Sequence, residues 1–464
     1  MDFLDESVVD LAAGVRNGDT TATSLVEHSL SRIDALNPAI NAFVAVDAEA
    51  ALAEAQRVDA AVAAGEDPGP LAGIPIGVKD LEDAAGFVTT YGSELFAGDA
   101  VKESDSLLVS RLKDAGAIVV GKTNTPEFGH KGTTDNPLFG ATANPWNLEQ
   151  TPGGSSGGTA AALASGMVPL ATGSDGGGSI RIPSALCGLT GLKCQQGRIP
   201  YHHDGTTPAM LLSVSGPMAR TAADTAWALD AVRGPHWADP FSLPADDRSW
   251  FEMVMGADAP RRVVWAPTMG FADVDDRIAA SCQKAVSALE AAGTEVVVDD
   301  TVFDQEPLRE WATRWFMYLH KRLGHHRGTS EWGKISEGLQ AMIELGADIV
   351  GDDAAESLSQ IFARNHDVGA LLERHDADLL LTPATAKLPP TLAEIAGGGA
   401  ELGWVQFTFA INMTRHPAGS VCVGKVGDMP VGLQVIGRHF DEPGVLLAMA
   451  TVERLTDPIG RPAL

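Results

Sequence analysis

The chain has 464 residues, of which 45% are hydrophobic and 20% charged, and its formal net charge is -28 with a pI of about 4.7. Such an acidic surface repels nucleic-acid phosphates and anionic lipids, which argues against both as partners. Four scattered cysteines without a Cys-x-x-Cys pair argue against a disulfide scaffold and a structural zinc site, so a cytoplasmic protein is expected.

The chain starts with the acidic segment MDFLDESVVD, which has no basic region and no long apolar run, so no signal peptide is expected. No run of roughly 18 apolar residues occurs, so no membrane span is expected either. Apolar residues then recur at helical spacing, which predicts an N-terminal helical segment over residues 1–65. Its second helix should end at Asn37-Pro38, and its third should cover residues 47–64.

From residue 74 onward, short apolar strands alternate with amphipathic helices. The first strand, Ile74–Val78, leads directly into Lys79. Further strands are predicted at 117–120, 263–266, 294–298 and 379–382, and helices at 106–115 and 281–292. This alternation predicts an α/β protein with a mostly buried sheet. No linker-like stretch interrupts the pattern, so one large domain over residues 1–464 is expected.

Two motifs match catalytic patterns without their usual context. Gly116–Thr123 (GAIVVGKT) matches the phosphate-loop pattern, but its central residues are strand-like and no periodic helix follows. Lys122 is therefore expected to be structural. Gly153–Gly158 matches the GxSxG pattern of α/β-hydrolases at both of its serines, yet no later histidine is marked as a partner. A histidine-dependent serine hydrolase remains an alternative at this point.

The segment from Thr151 to Arg198 contains two serines set among glycines, Ser155 and Ser179. Flanking glycines permit positive φ and close approach of a substrate, and small residues leave backbone N–H groups free to converge on an anion. A serine needs a base to become a nucleophile, and Lys79 is the candidate. Burial favours the neutral amine by lowering the lysine pKa from about 10.4.

Around these residues the sequence resembles the amidase signature family. The resemblance rests on GIPIGVKD, GGSSGG and SDGGGSIRIPSALCGLTGLK in that order, together with GKTNTPEFG, ATANPWN, GPMAR and MPVGLQVIG. It is almost continuous over residues 71–220, the expected catalytic core, and it implies one domain with a central mixed β-sheet covered by helices on both faces. Residues 300–376 are expected to form a variable helical region, whose aromatic residues mostly pack a core and in part line a substrate funnel.

The resemblance also implies a Ser–cis-Ser–Lys triad. By motif position, Ser179 is the nucleophile, Ser155 is the bridging serine after a cis Gly154–Ser155 bond, and Lys79 is the base. The expected oxyanion-hole donors are the backbone N–H groups of Gly176, Gly177, Gly178 and Ser179.

Residues 129–132 are expected to contact the substrate, and residues 175–181 are expected to determine the shape of the loop around Ser179. The expected substrate-binding segment, by position beside the scissile amide, is Gly129, His130, Lys131 and Gly132. Asp175 and Arg181 flank the serine loop and are expected to form a structural ion pair. Gly176 replaces a bulkier residue of the family pattern, which is expected to loosen the loop.

The resemblance implies cleavage of the C–N bond of aryl or acyl amides through an acyl-enzyme, and because the acidic surface disfavours a tRNA-associated subunit, a stand-alone amidase is expected. A carbamate (urethane) hydrolase or a nylon-oligomer amidase is the alternative on the same triad, and a glutaminase subunit of a tRNA amidotransferase is a more distant one. The expected partner is a small-molecule amide or carbamate, with no nucleic acid and no membrane, and a homodimer is left open. The pairs His202-His203 and His325-His326 lack acidic partners at ligand spacing, so no metal and no cofactor are predicted.

Overall fold

The computed structural model describes residues 2–201, 208–256, 258–398 and 402–464. The pair His202-His203 lies outside these described residues. Within them, no helix has both the length and the apolar character needed to cross a membrane, and no group of three or more His, Cys, Asp or Glu side chains is placed to hold a metal ion.

Helices occupy much of the chain. The first three are preceded by the N-cap residues Ser7, Thr21 and Asp47, whose side chains accept a hydrogen bond from a backbone N–H of the first turn. The helices are α1 (Val8–Asn17), α2 (Ala22–Ile40), α3 (Ala48–Ala63), α4 (Leu107–Asp114), α5 (Gly157–Ala164), α6 (Arg181–Cys187), α7 (Ala222–Val232), α8 (Trp250–Met255), α9 (Asp276–Ala291), α10 (Leu308–Leu323), α11 (Glu337–Ala347), α12 (Gly351–Arg374), α13 (Leu392–Ala396), α14 (Phe409–Thr414) and α15 (Glu442–Leu455). Short 3-10 turns cover Glu127–Gly129, Pro208–Leu211, Gly324–His326, Ser330–Lys334 and Leu402–Trp404.

The strands form two larger sheets and one small hairpin. They are β1 (Phe43–Val46), β2 (Pro75–Lys79), β3 (Ile118–Thr123), β4 (Asp135–Asn136), β5 (Gly140–Ala141), β6 (Leu170–Asp175), β7 (Gly191–Lys193), β8 (Val214–Met218), β9 (Arg262–Trp265), β10 (Glu295–Val298), β11 (Leu379–Pro383), β12 (Ala418–Val426) and β13 (Met429–Gly437). The first sheet has the order β1-β3-β2-β6-β8, the second has the order β10-β9-β11-β13-β12-β7, and β4 pairs with β5.

The α/β class with mixed sheets is confirmed, but the central sheet is divided. Both larger sheets contain parallel and antiparallel pairs. An isolated bridge between Thr190, just before β7, and Ala219, just after β8, connects the edges of the two sheets. The architecture is therefore two mixed sheets side by side rather than one uninterrupted ladder.

Strand β2 lies at the centre of the first sheet and runs parallel to both of its neighbours, β3 and β6. All five of its residues are buried, as its apolar sequence predicts. The carboxyl ends of parallel strands meet at one edge of a sheet, which is where ligands bind in open α/β sheets. Lys79, the last residue of β2, therefore lies next to the loop that follows β6.

The two short helices α5 and α6 are buried along their whole length. Small residues make this possible: a Cβ at Gly158 would collide with the backbone of Asn124. Ser155 and Ser179 each lie two residues ahead of one of these helices. Because both helices are fixed against the sheets, both serines are held at defined positions.

The second helix, α2, runs past its predicted end at Asn37-Pro38 and stops at Ile40. Pro38 lies in the last turn, where its missing N–H costs only one helical hydrogen bond. The helix ends instead at Asn41, which adopts a left-handed φ of 55°. The Asn37 side chain stabilises this end by accepting from the N–H groups of Ala42 and of Phe43, the first residue of β1.

The predicted helical region between residues 300 and 376 is confirmed and contains α10, α11 and α12. Trp315 of α10 is buried in an apolar cluster with Phe128 from the segment after β3. Trp311, Phe316, Tyr318 and Trp332 pack against the same cluster. The aromatic residues of this region therefore join α10 to the first sheet's loops.

Candidate active site

Among the described residues, three lysines have buried side chains: Lys79, Lys122 and Lys193. Lys122 forms an ion pair with Asp80 at 3.2 Å and donates to the carbonyl of Glu82, so it is structural, as predicted. Lys193 donates to the backbone carbonyl of His416 at 2.7 Å. Lys79 differs from both because it contacts serine hydroxyls.

The Lys79 Nζ atom lies 2.8 Å from Ser155 Oγ, 2.8 Å from Ser156 Oγ and 3.0 Å from Ser174 Oγ. Ser156 already donates its proton to the carbonyl of Ser174, so its oxygen accepts from Lys79. A neutral amine has two N–H donors and one lone pair, and it can therefore donate to Ser156 and Ser174 while it accepts from Ser155. Sequence reasoning found Ser155 but not the contacts of Ser156 and Ser174.

Burial lowers the pKa of the Lys79 ammonium to about 7, against the raising effect of the Glu82 and Asp175 carboxylates. Removal from water disfavours the charged form, and no carboxylate forms an ion pair with the amine at closer range among the described residues. A substantial fraction of the amine is therefore neutral near pH 7. This is the protonation state that a base requires.

The peptide bond between Gly154 and Ser155 is cis, as predicted. Ser155 and Ser179 line the same cavity, together with Ser174. The backbone N–H of Ser156 donates to the carbonyl of Ser179 at 3.2 Å, which joins the two serine segments. The structure thus brings Lys79, Ser155 and Ser179 together at the edge of the first sheet.

The loop between β6 and α6 is fixed by the buried ion pair of Asp175 and Arg181, as predicted. Burial by itself raises the pKa of Asp175, but the Arg181 guanidinium outweighs this effect and holds the pKa below its usual range. Arg181 also donates to Gln434 of β13 and to Asn412 of α14. The carboxylate is therefore ionised, all three guanidinium nitrogens donate hydrogen bonds, and both groups are structural.

One of the four predicted oxyanion donors is already engaged. The N–H of Gly178 donates to Asp175 Oδ1 at 2.8 Å, because the loop turns back over this carboxylate, so Gly178 does not offer a free donor. For the N–H groups of Gly176, Gly177 and Ser179, no acceptor is found within the described residues. Three of the predicted donors therefore remain available.

Two tryptophans of α10 and a threonine hold the outer side of this loop. Trp311 Nε1 donates to the carbonyl of Gly176 at 2.8 Å, and Thr408 donates to that of Gly177 at 2.7 Å. A Cβ at Gly176 would lie 2.8 Å from the ring of Trp315. The absence of a side chain at Gly176 thus leaves room for the ring of Trp315. The sequence predicted that Gly176 would loosen the loop, whereas the loop is packed against this ring.

Two cavities meet at Ser179. The larger, of about 170 Å³, is mainly apolar, and the smaller, of about 60 Å³, is lined mainly by polar and aromatic side chains. Ser179, Gly129 and Trp315 line both. The apolar lining of the larger cavity consists of Ile182, Leu308, Trp311, Ala312, Trp315, Phe316, Met342, Val405 and Phe409.

The predicted substrate-binding segment lies beside the larger cavity, with Gly129, His130, Lys131 and Gly132 all in its lining. A Cβ at Gly129 would lie 3.1 Å from Ser155 Oγ, so only glycine leaves this space open. Burial lowers the pKa of His130 to about 4, and its Nδ1 lies 2.6 Å from the carbonyl of Glu127. Lys131 is paired with Asp135 at 2.6 Å. The polar ends of both side chains are thus already engaged.

The histidine-dependent alternative does not fit this site. No histidine of the described residues forms a hydrogen bond with Ser155 or Ser179. His416 and His439, two of the later histidines, stack on each other at 4.1 Å, and His439 bonds to Asn365 and Gln195. The lysine is therefore the base that the geometry offers.

Comparison with known proteins gives consistent matches over the whole chain. The amidase family model matches residues 24–446. An acylamidase of Rhodococcus erythropolis is 35% identical over 459 residues, which cover 96% of this chain and 94% of that protein. A glutamyl-tRNA(Gln) amidotransferase subunit of Roseiflexus sp. (strain RS-1) is 33% identical over 487 residues, which cover 97% of this chain and 96% of that protein. The crystal structure of a bacterial aryl acylamidase of the amidase signature enzymes is similar with a TM-score of 0.90 at 27% identity, covering 97% of this chain and 96% of that one.

Proposed function

The chain belongs to the amidase signature family and is a hydrolase of amide C–N bonds; from this premise we propose a stand-alone amidase in which Ser179 is the nucleophile, Ser155 the bridging serine and Lys79 the base. The observation that carries the proposal is the 2.8 Å contact between Lys79 Nζ and Ser155 Oγ, in a cavity that Ser179 shares. A buried neutral amine next to one serine hydroxyl can activate a second hydroxyl through it.

The first step is attack by Ser179. Lys79 takes the proton of Ser155, Ser155 takes the proton of Ser179, and the Ser179 oxygen bonds to the amide carbon. The carbonyl oxygen gains a negative charge, which the free N–H groups of Gly176, Gly177 and Ser179 stabilise. These donors are held in place before the reaction by the ion pair of Asp175 and by Trp311.

The second step breaks the C–N bond. The proton returns through Ser155 to the leaving nitrogen, and the amine departs while the acyl group stays on Ser179. A water molecule then gives its proton to Ser155 and attacks the ester, which releases the carboxylic acid and restores Ser179. No net proton is gained or lost by the three side chains, so Lys79 ends the cycle neutral.

The apolar lining of the larger cavity favours a substrate whose acyl group is apolar. Helix α10 and its neighbour α11 supply a large part of this wall, including Leu308, Trp311 and Met342. Of the charged residues in this lining, Lys131 is already paired with Asp135, so the wall suits an alkyl or aryl chain and, apart from Glu306, offers few free partners to a glutamine head group. We therefore favour the acylamidase function over the glutaminase function, although relatives of both kinds have similar identity to this chain.

A carbamate places the same carbonyl and leaving amine in the site, with an oxygen between the carbonyl and the apolar group. The triad and the oxyanion donors serve both substrates in the same way. Carbamate hydrolysis is therefore proposed as a second activity of this site. Amide hydrolysis is proposed as its principal activity.

The test is a substrate panel with purified protein: hexananilide, hexanamide, hexyl N-phenylcarbamate and glutamine, with the wild type and Ser179→Ala. Wild type is expected to hydrolyse the anilide, and Ser179→Ala to lose at least about 10³-fold in kcat. Hydrolysis of glutamine alone would contradict the acylamidase proposal. Undiminished anilide hydrolysis by Ser179→Ala would contradict Ser179 as the nucleophile.

A further inference from the structure

The smaller cavity beside Ser179 has an unusual composition. The chain contains three tyrosines, and all three, Tyr91, Tyr201 and Tyr318, line this cavity. Glu82 and Arg322 line it too, so it holds one acidic and one basic side chain. Its neighbour, the larger cavity, is walled mainly by apolar side chains, and of the two charged residues in its described lining Lys131 is paired with Asp135 and Glu306 accepts from Gln406. The two sides of the scissile bond therefore face very different surroundings.

The position of Ser155 decides which part of the substrate enters the smaller cavity. On the proposed function, Ser155 hands a proton to the leaving nitrogen, so the amine must lie on the side of Ser155. Of the two cavities, Ser155 lines the smaller one and is not part of the described lining of the larger. The leaving amine therefore occupies the smaller cavity and the acyl group the larger.

The two charged groups of the smaller cavity, Glu82 and Arg322, form no ion pair with any residue that the structure describes. Glu82 is 5% exposed and accepts a hydrogen bond from Ser215, and Arg322 lies over the rings of Tyr91 and Phe128 at 4.8 and 5.4 Å. Charges removed from water are costly unless they are paired, so a ligand with complementary charges would gain from both.

We propose that the preferred substrates are N-acylated amino acids, whose leaving amine carries a carboxylate that Arg322 binds. This inference rests on the proposed function and names the substrate class of the same site. The guanidinium is suited to a carboxylate because it offers planar, paired N–H donors. Glu82 lines the same cavity as Ser155, which protonates the leaving nitrogen on the proposed function, so we assign Glu82 to the nitrogen end of the amine.

The products fit the same two charges. Hydrolysis adds the OH of water to the acyl carbon and its H to the nitrogen, which leaves a fatty or aryl carboxylate and an amino acid. The free amine then takes up the proton that the new acid releases, so the amino acid leaves as a zwitterion. Its ammonium group faces Glu82 and its carboxylate faces Arg322, which gives each of these two side chains an ionic partner.

The experiment compares N-hexanoylglycine with N-hexanoylethanolamine, which share the acyl group and differ in the carboxylate. Wild type is expected to show a kcat/KM at least about tenfold higher for the glycine compound, as for a charge-assisted pair. Arg322→Met should bring the ratio of the two kcat/KM values close to one, and Arg322→Lys should restore part of it. The matched control is Lys321→Met, which removes a positive charge from an exposed neighbouring position of α10 and should keep the wild-type ratio.

The wild-type ratio needs no variant, so the test stands even where Arg322→Met fails to fold. Equal or lower kcat/KM for the glycine compound, with good hydrolysis of the ethanolamide, would overturn the amino-acid preference and leave the proposed amidase intact. A preference that survives in folded Arg322→Met would overturn the role of Arg322. Inactivity of the wild type toward both compounds and toward hexananilide would contradict the proposed function, and this inference with it.

Discussion

Ser155 and Ser156 are neighbours in the chain, and both hydroxyls lie 2.8 Å from Lys79 Nζ. Their surroundings nevertheless differ. Ser156 is completely buried and donates to the carbonyl of Ser174, whereas Ser155 lines the cavity that contains Ser179. Ser156 therefore orients the amine, and in the proposed mechanism Ser155 passes the proton of Ser179 to that amine.

This difference predicts unequal effects of the same substitution. Ser155→Ala interrupts the proton relay and should lower kcat by roughly 10²- to 10⁴-fold. Ser156→Ala removes one hydrogen bond to Lys79 and should lower kcat by less than about tenfold. The measurement is steady-state kinetics of hexananilide hydrolysis, with circular dichroism to verify folding. Equal losses in the two variants would contradict the separate roles.

At this scale, the sequence pointed to three residues that the structure brings together, but not to all of their neighbours. Lys79, Ser155 and Ser179 lie in glycine-rich or apolar motifs that can be recognised from the sequence alone. Ser156 and Ser174 lie in the same motifs, but no local pattern indicates that their hydroxyls contact Lys79. The engagement of the Gly178 N–H by Asp175 depends on how the loop folds back, which composition does not encode.

Helix α10 contributes to the site through two stacked rings, Trp311 and Trp315, with centroids 5.3 Å apart. Both rings line the larger cavity, and Trp311 also donates to the carbonyl of Gly176. One element thus lines the cavity proposed for the acyl group and holds the loop that carries the proposed oxyanion donors. Periodicity predicted the helices of this region, but no motif indicated that Trp311 reaches a loop 135 residues away.

The two contributions of Trp311 can be separated by Trp311→Phe. Phenylalanine keeps most of the apolar wall but cannot donate to Gly176, so kcat should fall about threefold to tenfold while KM changes less. The control is Trp332→Phe, a tryptophan of the same aromatic cluster outside both described cavity linings. A rise in KM with unchanged kcat would show instead that Trp311 serves only substrate binding.

Across the whole molecule, distant segments meet at the serine loop. Arg181 of α6 is held by Asn412 and Gln434, which lie 231 and 253 residues away. The alternation of helices and strands predicted the α/β class, because it depends on local spacing. The pairing of β7 with β12, and the division into two bridged sheets, could not be predicted since such contacts leave no local pattern.

The central claim is that a neutral buried lysine activates Ser179 through Ser155. The most direct measurement is the rate at which a fluorophosphonate labels the enzyme, followed by mass spectrometry from pH 5 to pH 9. Burial lowers the pKa of Lys79 to about 7, and the ammonium form below that pH has no lone pair to accept a proton. The labelling rate should therefore rise with pH with a midpoint near pH 7, level off toward the upper end of the range, place the label on Ser179, and disappear in Lys79→Met. A rate independent of pH, a label on another residue, or undiminished labelling of Lys79→Met would contradict the account.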